Sequence, residues 1–322
     1  PNLYRVFGQA VYKFNDRFSI NPGLHFIYFD LNQKYSVEPR LGASFVLTEK
    51  IRINTGYGLH SRIQSLSTYY LGTRDNNLYY ETNKNLDFTR SHQFVAGTDI
   101  VLNNHQRLKI EVYYQHLYDV PVEMSPSSFS MLNTGSVWGI EATDSMVNKG
   151  TGKNYRIEFT YEKFLSKGFY YLTTLSLFES KYKGSDGIER NTAFNGNYVF
   201  NCLGGKEFSL RNGKSLAFDV KLTYAGGKRY VPIDLEKSQV SQTAVYDYSQ
   251  AYIPQVPSFF KLDIKASFKM NMKRFTHEWQ FYVENVTNHM NPLFQQYDKN
   301  TNTVYYANQM GFFPMMLYRV YF

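Results

Sequence analysis

Almost every stretch of this chain alternates with a period of two. Ile51, Ile53, Thr55, Tyr57 and Leu59 share one face opposite Arg52, Asn54, Gly56, Gly58 and His60. Leu108, Ile110, Val112 and Tyr114 oppose Lys109, Glu111, Tyr113 and Gln115, and Ile157, Phe159 and Tyr161 oppose Arg156, Glu158, Thr160 and Glu162. Leu216, Phe218, Val220, Leu222 and Tyr224 oppose Ala217, Asp219, Lys221 and Thr223. Phe260, Leu262, Ile264, Ala266 and Phe268 oppose Lys261, Asp263, Lys265, Ser267 and Lys269. No 3.6-residue period runs over a comparable length, so the chain reads as all-β. A soluble sandwich alternates too. Two features favour a barrel in a membrane instead: strands of about ten residues, enough to cross an apolar band at a tilt, and full charges at successive polar-face positions on nearly every strand, which a wet lumen tolerates.

The connections alternate as well. Short polar turns are expected at Asn15-Asp16, Thr48 to Lys50, Asn103 to Gln106, Ser166 to Gly168, Arg211 to Lys214 and Met272 to Arg274. Asn212-Gly213 suits a two-residue hairpin because both residues tolerate positive φ. Between these turns lie long connections, at about residues 64–88, 119–152, 182–192, 228–257 and 288–310, and one short one near Asn32-Gln33. Short turns on one rim and long loops on the other describe a barrel with unlike ends. The count is about 13 strands, an odd number where antiparallel barrels normally close with an even one. Pro39 inside the run Val37 to Leu47 removes a ladder donor, and a bulge there is expected.

The chain has no apolar segment of about 18 residues, so no helix is expected to span a bilayer. The net charge of +8 comes without a basic run and gives no nucleic-acid stripe. Cys202 is the only cysteine, which leaves no intramolecular disulfide framework and no cysteine-based zinc site. No signal peptide is visible at Pro1, so any such segment has been removed or lies outside this sequence. No GxSxG, Walker A, HExxH or EF-hand pattern is present. No catalytic residue, metal ligand or cofactor is assigned, and the seven histidines show no ligand spacing. Ser185-Asp186-Gly187 reads as a solvated loop rather than a calcium site, and Asn285-Val286-Thr287 as a strand end rather than a glycosylation sequon.

The final stretch, Gly311 to Phe322, places Phe312, Pro314, Met316, Tyr318, Val320 and Phe322 on one face. It resembles the C-terminal assembly signal of bacterial outer-membrane β-barrels, here carried by Tyr318, Val320 and Phe322. In that family the last strand pairs with the first. Further stretches resemble the C-terminal part of TonB-dependent outer-membrane receptors, in the branch with an N-terminal carboxypeptidase-regulatory-like domain. They are Glu38 to Gly42 followed by Gly56 to Ser61, Phe88 to His92, Asn148 to Phe164, Asn191 to Gly196, Leu222 to Asp234, Phe260 to Asp263, and Val283 to Asn288. Together they span nearly the whole chain in the family's order.

The resemblance implies an antiparallel transmembrane β-barrel of about 22 strands filled by a plug. Residues 1–322 would supply its last 13 or so strands, with the plug, the TonB-contacting segment and the first strands absent. It implies a Gram-negative outer-membrane receptor that imports an extracellular ligand with energy from TonB. Its partners would be outer-membrane lipid, the TonB complex through the missing part, the barrel assembly machinery and an unidentified ligand, but no nucleic acid. A passive porin of 12 or 14 strands is the alternative, and an outer-membrane enzyme comes third. Lumen-facing positions are Arg52, Asn54, Lys109, Glu111, Arg156, Glu158, Asp219, Lys221, Asp263 and Lys265. Tyr69, Tyr70, Tyr79, Tyr80, Tyr246, Tyr248 and Tyr252 either stack on a ligand or cover the barrel mouth and its aromatic girdle. Siderophore, cobalamin, oligosaccharide and peptide all stay open as ligands.

Overall fold

The computed structural model describes residues 1–75, 78–135 and 142–322. Thirteen strands follow one another in a single antiparallel path. They are β1 (Leu3–Gln9), β2 (Phe18–Phe29), β3 (Lys34–Thr48), β4 (Ile51–Arg62), β5 (Thr89–Asn103), β6 (Gln106–Glu123), β7 (Met146–Ser166), β8 (Phe169–Lys183), β9 (Tyr198–Ser209), β10 (Lys214–Ala225), β11 (Phe259–Asn271), β12 (Thr276–Glu284) and β13 (Phe313–Tyr321). Each pairs with its sequence neighbours among these, and two short strands, Tyr12–Lys13 and Glu189–Asn191, pair at the sides. The path is open: β1 forms one edge and β13 the other. The fold is therefore an antiparallel β-barrel wall, and the described residues form part of a barrel.

The register preserves one polar face across the path. Glu38 aligns with His25, Arg52 with Asp99, and Asp99 with Lys109. Glu111 aligns with Glu158, Glu158 with Ser176, Asp219 with Lys265, and Lys269 with Glu278. Because side chains alternate strictly, a one-residue slip in any ladder would mix the faces. The turns help to fix the register. Asn212 and Gly213 both have positive φ (61° and 69°), as their sequence suggests, and Lys167 and Gly168 do the same (53° and 75°).

Burial is the reverse of a soluble sandwich. On the apolar face Val220 is 47% exposed and Phe281 57%, while on the polar face Asp219 is 7% and Asp263 1% exposed. The buried apolar cluster of Ile27, Phe29, Tyr69, Leu86, Phe88 and Met146 lies at the loop-bearing rim, not behind the sheet. Aromatic side chains form a belt at each end of the apolar face. Near the long loops, His92 stacks on Tyr118 at 5.3 Å, and Tyr57, Phe94, Tyr114 and Tyr155 continue the row. Near the short turns, Trp279 packs on Tyr318 at 5.3 Å and on Phe268 at 5.9 Å.

The short turns lie where expected. The long connections run over residues 63–88, 124–145, 184–197, 226–258 and 285–312, and residues 76–77 and 136–141, within the first two, lie outside the described residues. The second is shorter than the expected 119–152 because β6 and β7 extend past the sheet. Register shifts at Asn148/Gly150 and Gly150/Gly152 let them do so. The bulge expected at Pro39 is not there. Leu24 faces Pro39 in unbroken register, and the β3–β4 ladder ends one residue away at Arg40↔Gly58. Beyond that end the Glu38 carboxylate takes over as acceptor for the Ser61 amide, at 2.6 Å. The bulge in this pair lies at Val46/Thr48.

Candidate functional site

Four of the long connections converge into one structure at the loop rim. Their roots are joined where chains cross at backbone contact. A Cβ on Gly226 would overlap the Gly196 carbonyl, so only glycine permits the crossing. Arg229 sits just beyond it. Its amide donates to Ala193 O at 3.0 Å, its Nε to Asn195 O at 3.0 Å and its NH1 to Ile253 O at 2.9 Å. From the β6–β7 connection, Asn133 Oδ1 accepts the Ala193 amide at 2.9 Å. The Tyr182 hydroxyl donates to Ser128 O at 2.7 Å. A hairpin of Pro292–Asp298 and Thr303–Asn308 closes the other side, with the Tyr306 and Tyr230 hydroxyls 2.9 Å apart. Burial, and then the Tyr306 contact, push Tyr230 up to about 12.

These loops line an open cavity of about 1240 Å³. Ser127 to Ser130 and Asn133 line it from one connection, Asp186 and Arg190 from the next, Lys228 to Val231 with Tyr246, Tyr248 and Tyr252 from the third, and Leu293 to Tyr297 with Tyr305 from the hairpin. The Tyr246 and Tyr248 rings stand 6.4 Å apart and are both exposed. The charges are largely engaged within the wall. Arg190 holds Asp186 at 2.7 Å, and although burial pulls the Asp186 carboxyl up, this pairing keeps it below its ordinary value. Asp186 is thus an ion-pair partner, not the solvated loop residue expected from Ser185-Asp186-Gly187. Among the described residues no group of histidine, cysteine and carboxylate side chains is arranged to hold a metal.

The two tyrosine groups part company. Tyr246, Tyr248 and Tyr252 line the cavity. Tyr69, Tyr70, Tyr79 and Tyr80 lie on the 63–88 connection and do not. Tyr69 is 1% exposed, packs on Phe29 at 5.2 Å, and is pushed up to about 12 by burial, so it is a core residue and not a contact surface. Tyr70, Tyr79 and Tyr80 are exposed, and the Tyr79 hydroxyl donates to Tyr70 O.

All ten charged or amide positions singled out in the sequence share the polar face. Lys265 pairs with Asp219 at 2.9 Å, and the Tyr170 hydroxyl donates to the same carboxylate. Lys261 bridges Glu284 at 2.7 Å and Asp263 at 3.4 Å. Asp263 also accepts the Asn285 amide at 2.9 Å, where β12 ends and Asn285 turns to φ 48°. Lys109 pairs with Glu111 at 2.7 Å, Arg156 with Glu158 at 3.6 Å, and Asn54 donates to Asp99 at 3.0 Å. Arg52 and Lys221 remain exposed. Tyr318 and Val320 lie on the apolar face opposite Trp279 and His277, and Phe322 projects beyond β13 against Phe275. Asn285 is buried and its side chain bonds His289 at both ends, which suits the strand-end reading of the sequon.

The sequence singled out neither Arg229, Asn133 nor Asn195 as site residues. They meet only because loops 34 and 60 residues apart in the chain converge. The signal was nonetheless present in the glycine and asparagine runs Asn191 to Gly196 and Ala225 to Gly227, which now have a cause in the close crossing.

A family model described as TonB dependent receptor-like, beta-barrel, matches residues 2–288. The chain belongs to this family. Among solved structures, the outer membrane transporter YddB from Escherichia coli is similar over 99% of this chain and 45% of its own, at 13% identity and a TM-score of 0.67. The ferric yersiniabactin uptake receptor FyuA from Yersinia pestis (14% identity, TM-score 0.66) covers 99% of this chain and 46% of its own. The siderophore receptor PiuA from Acinetobacter baumannii (15%, 0.66) covers 99% and 43%. At these identities the likeness is one of fold, and this receptor-family chain spans under half the length of those structures. No curated protein matches its sequence.

Proposed function

We propose that this chain is the C-terminal wall and loop apparatus of an outer-membrane importer of a Gram-negative bacterium, energised through TonB. In this reading the apolar face meets lipid, the polar face lines the lumen, and the long-loop rim faces outside. The loop cavity takes the extracellular ligand, with Tyr246, Tyr248 and Tyr252 as its aromatic contacts. The observation that carries the reading is the cavity itself, built from four connections on one rim of a receptor-family barrel wall. The edges at β1 and β13 support a larger barrel, since an unpaired strand edge in lipid costs several kcal/mol per backbone group. The strands that cover them, a plug and the TonB-contacting segment belong to the proposed whole protein. A passive porin would need neither TonB nor a ligand cavity knitted from several loops. Uptake by cells carrying the full gene is the test. It is expected to stop on deletion of TonB or addition of a protonophore, and uptake that continues unchanged would favour the porin.

A further inference from the structure

The lysines of the apolar face differ between its two ends. Near the loops, Lys153 pairs with Glu189 at 2.7 Å and Lys181 with Glu179 at 3.1 Å. Near the short turns, Lys163 of β7 and Lys206 of β9 pair with no carboxylate and donate to no protein acceptor among the described residues, and lie against rings instead. Both belong to the apolar face. Lys163 continues the row of Ile157, Phe159 and Tyr161 and faces Tyr171, and Lys206 faces Phe169 on one side and Phe218 on the other. The two converge on one ring. The Lys206 ammonium stands 3.6 Å from the centre of Phe169, and that of Lys163 stands 5.8 Å from the same centre and 5.9 Å from that of Tyr171. The Tyr171 hydroxyl donates to Tyr161 at 2.9 Å, and Phe208 meets Phe218 edge-on at 6.3 Å, so aromatic side chains frame the pair.

A ring face serves an ammonium from one side only. Lysine carries three donors, and a cation–π contact leaves those turned away from the ring open. An isolated lysine at a membrane belt would extend to water. Two lysines that converge on one ring repel each other unless an anion lies between them. The surroundings select the anion. The neighbouring turns carry Lys167, Arg211, Lys214, Lys273 and Arg274, none of them paired to a carboxylate among the described residues. A headgroup with its own ammonium would meet this excess of positive charge, whereas one that carries only phosphate would be drawn to it. On the side away from the turns the apolar face is notched. Gly204 stands without a side chain between Tyr171 and Val220, and Cys202 follows between Thr173 and Leu222. The notch runs along β9 from the lysines into the apolar band, the path that an acyl chain would take.

We propose that Lys163 and Lys206 hold the phosphate of an anionic phospholipid, with Phe169 as the floor of the headgroup site and an acyl chain along Gly204 and Cys202. The proposal rests on the reading above for the apolar face lying in lipid, but its test reads lipid binding and needs neither TonB nor uptake, so either can fail while the other stands. Purified full-length receptor in a neutral detergent is titrated with dioleoyl phosphatidylglycerol or dioleoyl phosphatidylcholine, and bound lipid is counted by native mass spectrometry. The unaltered receptor is expected to bind its first phosphatidylglycerol more tightly than phosphatidylcholine. Lys206→Gln should weaken phosphatidylglycerol binding about fivefold, and adding Lys163→Gln by about as much again, with phosphatidylcholine unchanged. Lys163→Arg with Lys206→Arg keeps both charges and should retain the preference, and so should Lys153→Gln with Lys181→Gln at the other end of the face. The single variant Lys206→Gln keeps the test open if the double one fails to assemble. Equal binding of the two lipids by the unaltered receptor would overturn the proposal, because the lysines would then reach only for water. A preference undiminished by Lys206→Gln and by the double variant would place the lipid elsewhere on the barrel and overturn it too. Displacement of phosphatidylglycerol by soluble sn-glycerol 3-phosphate would make this a site for free phosphate esters and not for a lipid.

Discussion

Asp219 and Val220 are consecutive in β10, yet they live in opposite surroundings. Asp219 is nearly buried, ion-paired to Lys265 and bonded by Tyr170. Val220 is half exposed on a face made of Leu216, Phe218, Leu222 and Tyr224. The same holds one strand on, between Asp263 and Ile264. In a soluble protein the valine would be inside and the aspartate out. Here the strand is turned the other way, and so is β3, where Ser36 and Glu38 are buried while Tyr35 and Val37 are exposed. The lesson is that burial alone does not report the solvent. The apolar face is exposed in the protein because lipid, in the proposed reading, covers it, while Asp219 and Asp263 on the polar face are buried among their own hydrogen bonds and ion pairs.

That contrast breaks most readily at Ile264. Ile264→Arg places a charge at mid-strand on the apolar face and should cost about 2–4 kcal/mol in a bilayer. Lys265→Arg, one residue away, keeps the charge opposite Asp219 and should cost little. The measurement is the folded, heat-modifiable fraction in lipid across a denaturant series. Equal losses for the two variants would mean the faces are not lipid and lumen.

A smaller effect sharpens the polar side. Asp263→Ala removes the acceptor of the buried Asn285 amide and one of the two partners of Lys261. Lys261 keeps Glu284, so the loss comes chiefly from the amide left unpaired, about 1–3 kcal/mol. Asp263→Asn retains an acceptor oxygen and should lose less. The same unfolding series checks it, and a neutral Asp263→Ala would show that β12 is anchored by other contacts.

How far this was legible from sequence differs between wall and loops. The wall could be read almost completely, because period two is a local property: the charges at Lys261, Asp263 and Lys265 fix the face with no knowledge of the partner strand. The turns could be read for the same reason, since Asn212-Gly213 carries its own φ preference. Pro39 misled because a missing donor matters only where a ladder continues, and the ladder's end at Arg40 is set by β4. The cavity could be read only in part. Tyr246 and Tyr69 look alike in sequence, each in a long tyrosine-bearing connection. One lines the cavity and the other fills the core against Phe29, and the difference depends on loops far apart in the chain. Likewise, nothing local marks Arg229 as the residue that ties three segments together.

The chain end offers the finest version of the contrast, because there structure and assembly can be separated. Phe322 is 98% exposed and touches Phe275 edge-on at 5.6 Å. Removing it forfeits one aromatic contact near an interface, where side-chain changes are worth about 0–1 kcal/mol. Tyr318 stands deeper on the same face, between Trp279 and His277. Purified full-length protein lacking Phe322 should therefore refold into detergent nearly as well as the parent, and Tyr318→Asp somewhat less well. In cells the expectation reverses. If Tyr318, Val320 and Phe322 form the signal that the assembly machinery reads, the deletion leaves synthesis intact and blocks insertion, an effect far larger than its energetic cost. Counting inserted receptor in outer-membrane fractions, beside refolded yield in detergent, resolves the two contributions. Normal insertion of the deletion variant would make this segment one more strand of the apolar face, held by its aromatic neighbours and nothing else.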